Sequence, residues 1–89
     1  MAALRAGVAA IDITPAVGIQ MGGYWGRRSP ATGVNDPLQV RAVVWSDAAS
    51  RAALVVLDLV ALHAEQISRL RRRIREAAGI AAESTLICC

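Results

Sequence analysis

Apolar residues along this chain gather into segments with the spacing of strands and one segment with the spacing of a helix. GVAAIDIT (residues 7–14) predicts a first strand, which ends at Pro15 because proline cannot donate to a strand ladder. PLQVRAVVW (residues 37–45) and RAALVVLDLV (residues 51–60) predict a hairpin joined by a loop of about five residues, SDAAS. The second run is apolar on both faces, so we expect it to be a central strand.

Apolar residues then recur at helical spacing. Ile67, Leu70 and Ile74 fall on one face of AEQISRLRRRIREAAG (residues 64–79), which predicts an amphipathic helix with Gly79 just after its last turn. Arginine alternates with these apolar residues, which indicates a solvated helix face rather than a nucleic-acid-binding surface. We therefore expect no nucleic-acid partner.

TLICC (residues 85–89) predicts a last strand. The order strand, long loop, strand, strand, helix, strand predicts the mixed α/β (α+β) class, with an amphipathic helix beside the strands. Because TLICC ends without a turn, a cap or a polar tail, we expect the chain to be cut from a longer one rather than complete. Cys88 and Cys89 are adjacent rather than spaced as metal-ligand pairs are, so we interpret them as strand residues.

Composition indicates a chain with more apolar surface than it can cover. Hydrophobic residues make up 55% of the chain and charged residues 19%, with a net charge of +3. Asp58 interrupts the longest apolar run, so we expect no transmembrane segment. The N-terminus lacks the apolar stretch of a secretory signal, which predicts a cytoplasmic location. Since TLICC would leave an apolar edge exposed, we expect the isolated chain to be poorly folded or prone to association, in an oligomeric state that the sequence does not specify.

Two carboxylates and one histidine are the candidates for chemistry. Asp58 lies in the most apolar predicted strand, so it must have a partner; we favour a backbone N–H from a neighbouring loop over a catalytic role. Asp12 has Thr14 as a local partner. His63 is the single histidine of the sequence and is interpreted as a capping or surface residue. Neither a zinc site nor a Ser-His-Asp arrangement can be completed from these residues alone.

Four segments in order, GVAAIDITPAVGIQMGGYWGR, ATGVNDPLQVRAVVW, AALVVLDLVAL and GIAAESTLICC, resemble the N-terminal domain of the neutral/alkaline non-lysosomal ceramidase family. The resemblance implies that residues 1–89 are the incomplete N-terminal part of a larger mixed-sheet α/β domain, with no complete second domain. It further implies zinc as cofactor and hydrolysis of the N-acyl bond of ceramide or a related lipid amide. It also implies that a T-H-T-H-[SA]-G-P segment, most zinc ligands and a catalytic serine follow Cys89, so the 89 residues alone are not expected to be active. The chain would contribute a framework and a glycine-rich loop at a cleft rim, with these candidate cleft residues: Gly22, Gly23, Tyr24 and Asp36.

Asn35 occupies the position at which the resemblance implies a zinc-binding histidine. It is therefore the one candidate metal position of the chain, although an amide oxygen is a poor zinc ligand. The alternative is a turn residue, because Asn-Asp-Pro is strong turn chemistry in which the Asn side chain caps its own backbone. Function is accordingly open between a ceramidase-like hydrolase and a non-catalytic relative or small interaction module that has lost the metal site.

Overall fold

The predicted order of strands and helix is confirmed in a computed structural model, which describes residues 3–22 and 26–89. The chain forms a four-stranded mixed sheet with one α-helix, a small mixed α/β fold. The elements are β1 (Arg5–Asp12), β2 (Gln39–Ser46), β3 (Arg51–Leu57), α1 (Ala64–Ala78), a single 3-10 turn (Ala82–Ser84) and β4 (Thr85–Cys88).

The strands lie in the order β1-β2-β3-β4. β1 pairs antiparallel with β2, and β2 pairs antiparallel with β3 across the hairpin. β4 runs parallel to β3, and α1 lies in the crossover that a parallel pair requires. β3 is thus an interior strand, as its uninterrupted apolar run predicts.

Two strands end earlier than the sequence pattern predicts. β1 stops at Asp12 rather than at residue 14, and just beyond its end the Asp12 carboxylate accepts the Thr14 N–H at 2.8 Å, in place of a strand partner. β3 stops at Leu57, where the Leu59 N–H turns back to the Leu57 carbonyl at 2.9 Å. The expectation that Asp58 lies inside a strand is therefore wrong by one residue.

The hairpin loop between β2 and β3 has four residues rather than five, because Ser46 pairs with Arg51. Asp47 organises this loop: its Oδ1 accepts the N–H groups of Ala49 and Ser50, each at 2.8 Å. These two hydrogen bonds, with that of Ala49 first, lower the pKa of the Asp47 carboxyl. The tighter loop shifts the pairing of β2 and β3 by one position.

Helix α1 begins after His63, whose N–H donates to the Gln66 side chain at 2.8 Å. It ends at Gly79, which has the left-handed φ of 68° and donates its N–H to the Arg75 carbonyl at 2.9 Å. The predicted role of Gly79 is confirmed. Arg51 also donates to the Ala78 carbonyl at 3.0 Å, which satisfies another free group at this helix end. Within the described parts of the chain, no helix has the length and apolarity needed to cross a membrane.

The core is small and lies on one face of the sheet. Among the described residues, the buried hydrophobic ones are Ala53, Leu57 and Ile80. By register, Ala53 and Leu57 share one face with the buried Thr85, so the core lies on this face. The opposite face, which we call the open face, carries Arg41 between Ala10 and Val56 and is otherwise apolar over its central part: Ala6, Val8, Ala10, Val43, Trp45, Ala52, Leu54, Val56 and Leu86.

Candidate functional site at one end of the sheet

The strand register brings the segments of the family resemblance to one end of the sheet. β1 ends there with Asp12, which pairs with Gln39 at the start of β2. β3 ends there with Leu57, and β4, parallel to β3, ends beside it with Cys88 opposite Val56. We call this the motif end. In open α/β sheets, ligands bind outside the carboxyl ends of the strands, so this end is the candidate site.

A short polar network joins the D-I-T-P segment to the segment before β2. The Thr14 N–H donates to Asp12 Oδ1, and the Leu38 N–H donates to Thr14 Oγ1, both at 2.8 Å. The Ile13 N–H adds a third bond, to the Leu38 carbonyl, also at 2.8 Å. The predicted partnership of Asp12 with Thr14 is confirmed. The link from Thr14 to Leu38, which spans 24 residues of sequence, was not anticipated.

The same network sets the ionisation of Asp12. Hydrogen bonding from the Thr14 side chain and then from the Thr14 N–H lowers the pKa of the Asp12 carboxyl, with a smaller opposing effect of desolvation. Asp12 is therefore an ionised acceptor near neutral pH. Its side chain is exposed, so it organises the local turn without being part of the core.

Asp58 joins the end of β3 to the start of β2. Its Oδ2 accepts the Gln39 N–H at 2.9 Å, while its own N–H donates to the Gln39 carbonyl at 3.0 Å. The predicted backbone partner is confirmed, at a strand start rather than in a free loop. Arg41 lies 3.8 Å from the same oxygen, but side chains that are 59% and 32% exposed gain little from such a pair.

Asn35 and Asp36 lie at the motif end, just before β2, and both are exposed. The chain bends at these two residues, which agrees with a turn interpretation. Within the described part of the chain, neither side chain forms a hydrogen bond or an ion pair, so the predicted capping of its own backbone by Asn35 is wrong. Both side chains instead face solvent beside the network of Asp12 and Thr14.

Residues 16–22 and 26–37 extend from the motif end as two arms paired by hydrogen bonds, and we call these two stretches together the rim loop. Beyond its base at Leu38, the Gly18 N–H donates to the Ala31 carbonyl and the Ala31 N–H donates to the Ile19 carbonyl, both at 2.9 Å. Gly18 has a φ of 100°, which favours glycine at this join. Of the predicted cleft residues in this loop, Gly22 and Asp36 are exposed. The other two lie outside the described residues: Gly23 and Tyr24.

The described residues do not make up a zinc site. Structural and catalytic zinc ions take three or four protein ligands from Cys, His, Asp and Glu, and no group of three such residues occurs within residues 3–22 and 26–89. His63 is exposed at the start of α1, and Cys88 and Cys89 are free thiols near the end of β4. Asn35 could supply one weak oxygen ligand, which is not sufficient for zinc.

Gln39 is a site residue that the sequence pattern did not single out. A five-residue hairpin loop would place Asp58 opposite Leu38, whereas the four-residue loop continues the pairing of Leu57 with Val40 and places Asp58 opposite Gln39. Asp47 could have predicted the shorter loop, because aspartate side chains commonly accept backbone hydrogen bonds in tight turns.

No protein-family model, no curated protein and no solved structure matches this chain. The likeness to the ceramidase family therefore rests on the four motif segments and their spacing.

Proposed function

We propose that this chain is the framework part of a ceramidase-like hydrolase that cleaves the N-acyl bond of ceramide or a related lipid amide. One observation carries the proposal: three segments of the family resemblance, centred on Asp12, Asn35 and Asp58, lie together at the motif end although they are far apart in sequence.

In this proposal the chain's own residues position a segment rather than react. Thr14 and Asp58 hold the two N–H groups that flank the start of β2, those of Leu38 and Gln39. The chain immediately before them therefore leaves the sheet at a fixed place, and it presents Asn35 to solvent. An active-site segment needs such fixed positioning, because even a small displacement of the reacting groups strongly lowers the reaction rate.

Zinc, which the family resemblance implies, is not assigned to the residues of this chain. The described residues lack the ligand set, and an amide oxygen at the position of a histidine suits harder cations better than zinc. The metal and the reacting groups of such a hydrolase would come from residues outside this chain. The lipid amide substrate would be bound mainly by those residues as well.

The second candidate function is a non-catalytic relative or a small interaction module. Asn35 favours it, because an asparagine in place of the family's histidine removes a zinc ligand. The open face also favours it, since Val8 is 81% exposed and Leu86 is 60% exposed.

The deciding experiment assays the protein encoded by the whole reading frame that contains residues 1–89. We expect release of fatty acid from ceramide, and we expect a chelator to abolish it. A protein that binds no zinc and releases no fatty acid would overturn the hydrolase proposal and leave the interaction module.

Two histidine variants test the position of Asn35 in the same protein. If the motif end faces the metal, Asn35→His raises zinc affinity by about tenfold or more, since one imidazole ligand is gained. Val34→His is the matched control, because it introduces the same group one residue away. Equal effects of the two variants would contradict the assignment of Asn35 to the metal.

A further inference from the structure

The rim loop carries apolar and cationic side chains together, and both kinds face solvent. Val17 is 60% exposed, Ile19 is 47% exposed and Met21 is 42% exposed. Arg27 and Arg28, on the returning arm, are exposed as well. The rim loop therefore offers both apolar and cationic groups to a binding partner.

Hydrogen bonds between the two arms of the rim loop hold the segments that carry these side chains next to each other. The bonds of Ala31 to Gly18 and Ile19 fix the arms to each other, and the chain continues on one side to Met21 and on the other back to Arg28. Arg27 is also held locally, because its Nε donates to the Ser29 carbonyl at 3.0 Å. Apolar and cationic side chains thus lie within a few residues of the hydrogen bonds between Ala31 and the other arm.

We propose that the rim loop is a membrane-contact element, in which Ile19 and Met21 enter the interface of an anionic lipid surface while Arg27 and Arg28 bind its phosphate groups. Apolar groups at the acyl boundary combined with arginines at the headgroups are the chemistry of interfacial binding. A nucleic acid would use the arginines and leave the apolar residues in water, so the combination favours a lipid surface. The inference concerns binding alone and does not depend on amide hydrolysis.

A matched pair of charge variants tests the proposal with the full 89-residue chain. Binding is measured by flotation with vesicles of phosphatidylcholine, with and without about one-third phosphatidylserine, so that self-associated protein remains at the bottom of the gradient. The double variant Arg27→Gln/Arg28→Gln removes two charges from the rim loop. Arg72→Gln/Arg73→Gln removes two charges from the exposed side of α1.

We expect the chain to float with the anionic vesicles and not with the neutral ones. The rim-loop charge variant loses about 10- to 30-fold in vesicle partitioning, whereas the helix variant loses no more than about threefold. The Ile19→Ser/Met21→Ser variant should also bind more weakly than the unchanged chain. Because the lost contribution is apolar, the difference between the two should persist at high salt.

Three results would overturn the proposal. The chain could fail to float with anionic vesicles, or the helix variant could lose as much binding as the rim-loop variant. The third is unchanged binding of the Ile19→Ser/Met21→Ser chain, which would mean that the apolar residues do not enter the interface. Circular dichroism of all variants checks that the strands and α1 remain formed. Since no substrate is present, failure here leaves the hydrolase proposal intact, and failure of hydrolysis leaves the vesicle result intact.

Discussion

Single short polar side chains fix how the strands meet at the motif end. Asp12 and Thr14 tie the end of β1 to Leu38, and Asp58 ties the end of β3 to Gln39. Each of these side chains accepts a hydrogen bond from a backbone N–H group at or next to the end of a strand. An unpaired N–H at a partly buried strand end is costly, so these residues shape the site through backbone hydrogen bonding rather than through charge.

The pKa of Asp12 gives a direct measure of the Thr14 network. Thr14→Val removes the side-chain hydrogen bond, so the Asp12 pKa should rise toward its ordinary value of about 3.9, whereas Thr14→Ser should leave it low. A carboxyl with a lowered folded-state pKa stabilises the fold above its unfolded-state value, and this contribution is lost as pH falls through the folded-state pKa. Thr14→Val should therefore weaken the acid dependence of stability below about pH 4. Titration of the Asp12 carboxyl by NMR measures the pKa directly, and an unchanged value in Thr14→Val would contradict the network.

Asp58 should act as a hydrogen-bond acceptor more than as a charge. Asp58→Ala leaves the Gln39 N–H without its partner, which costs about 1–2 kcal/mol, so exchange of that amide proton should accelerate about tenfold or more. Asp58→Asn keeps an acceptor oxygen and should retain most of the protection, because the pair with Arg41 is exposed and 3.8 Å long. Asp36→Ala is the control, since its side chain is exposed and unbonded in the described chain. Equal loss in Asp58→Asn and Asp58→Ala would show that charge dominates.

At the scale of elements, the hydrophobic pattern predicted every strand and the helix, and its errors lie at their ends. The pattern reports which residues are apolar, but the ends are set by hydrogen bonds from side chains such as Asp12 and Asp47. The one-residue error in the hairpin loop hid the pairing of Asp58 with Gln39. The pairing of β1 with β2 joins residues 27 to 41 positions apart, and no local pattern specifies it. The gathering of the motif segments at one end therefore needed the structure.

The end of α1 depends on the backbone of Gly79. Gly79→Ala places a β-carbon in the left-handed conformation of φ 68° and should cost about 1 kcal/mol in the free energy of unfolding. Gly7→Ala in β1 is the matched control, because a β-carbon meets no atom within 4 Å at either position and Gly7 lacks a left-handed φ. Urea unfolding monitored by circular dichroism measures the free energy of unfolding of both variants, at a protein concentration too low for the chains to associate. Equal effects would mean that the conformation of Gly79 is not the cause.

At the scale of the whole molecule, the buried residues of the sheet lie on one of its two faces. The buried sheet residues Ala53, Leu57 and Thr85 share one face, and the open face exposes apolar residues such as Val8 and Leu86 to solvent. This arrangement explains how a chain with 55% hydrophobic residues buries so few of those that the structure describes. An apolar sheet face of this extent is a surface for contact with further protein, whether in a larger domain or in a second copy.

We predict that the 89-residue chain associates at micromolar concentration through the open face while keeping its secondary structure. Val8→Lys and Leu86→Lys each place a charge on that face at an exposed position, so both should shift sedimentation toward the monomer. Val60→Lys is the control: Val60 is 69% exposed but lies after β3 and off the open face. Sedimentation velocity over a range of concentrations measures the effect. A wild-type chain that sediments as a monomer and melts cooperatively would contradict the prediction, because the small core would then be sufficient to stabilise the sheet without a partner on its open face.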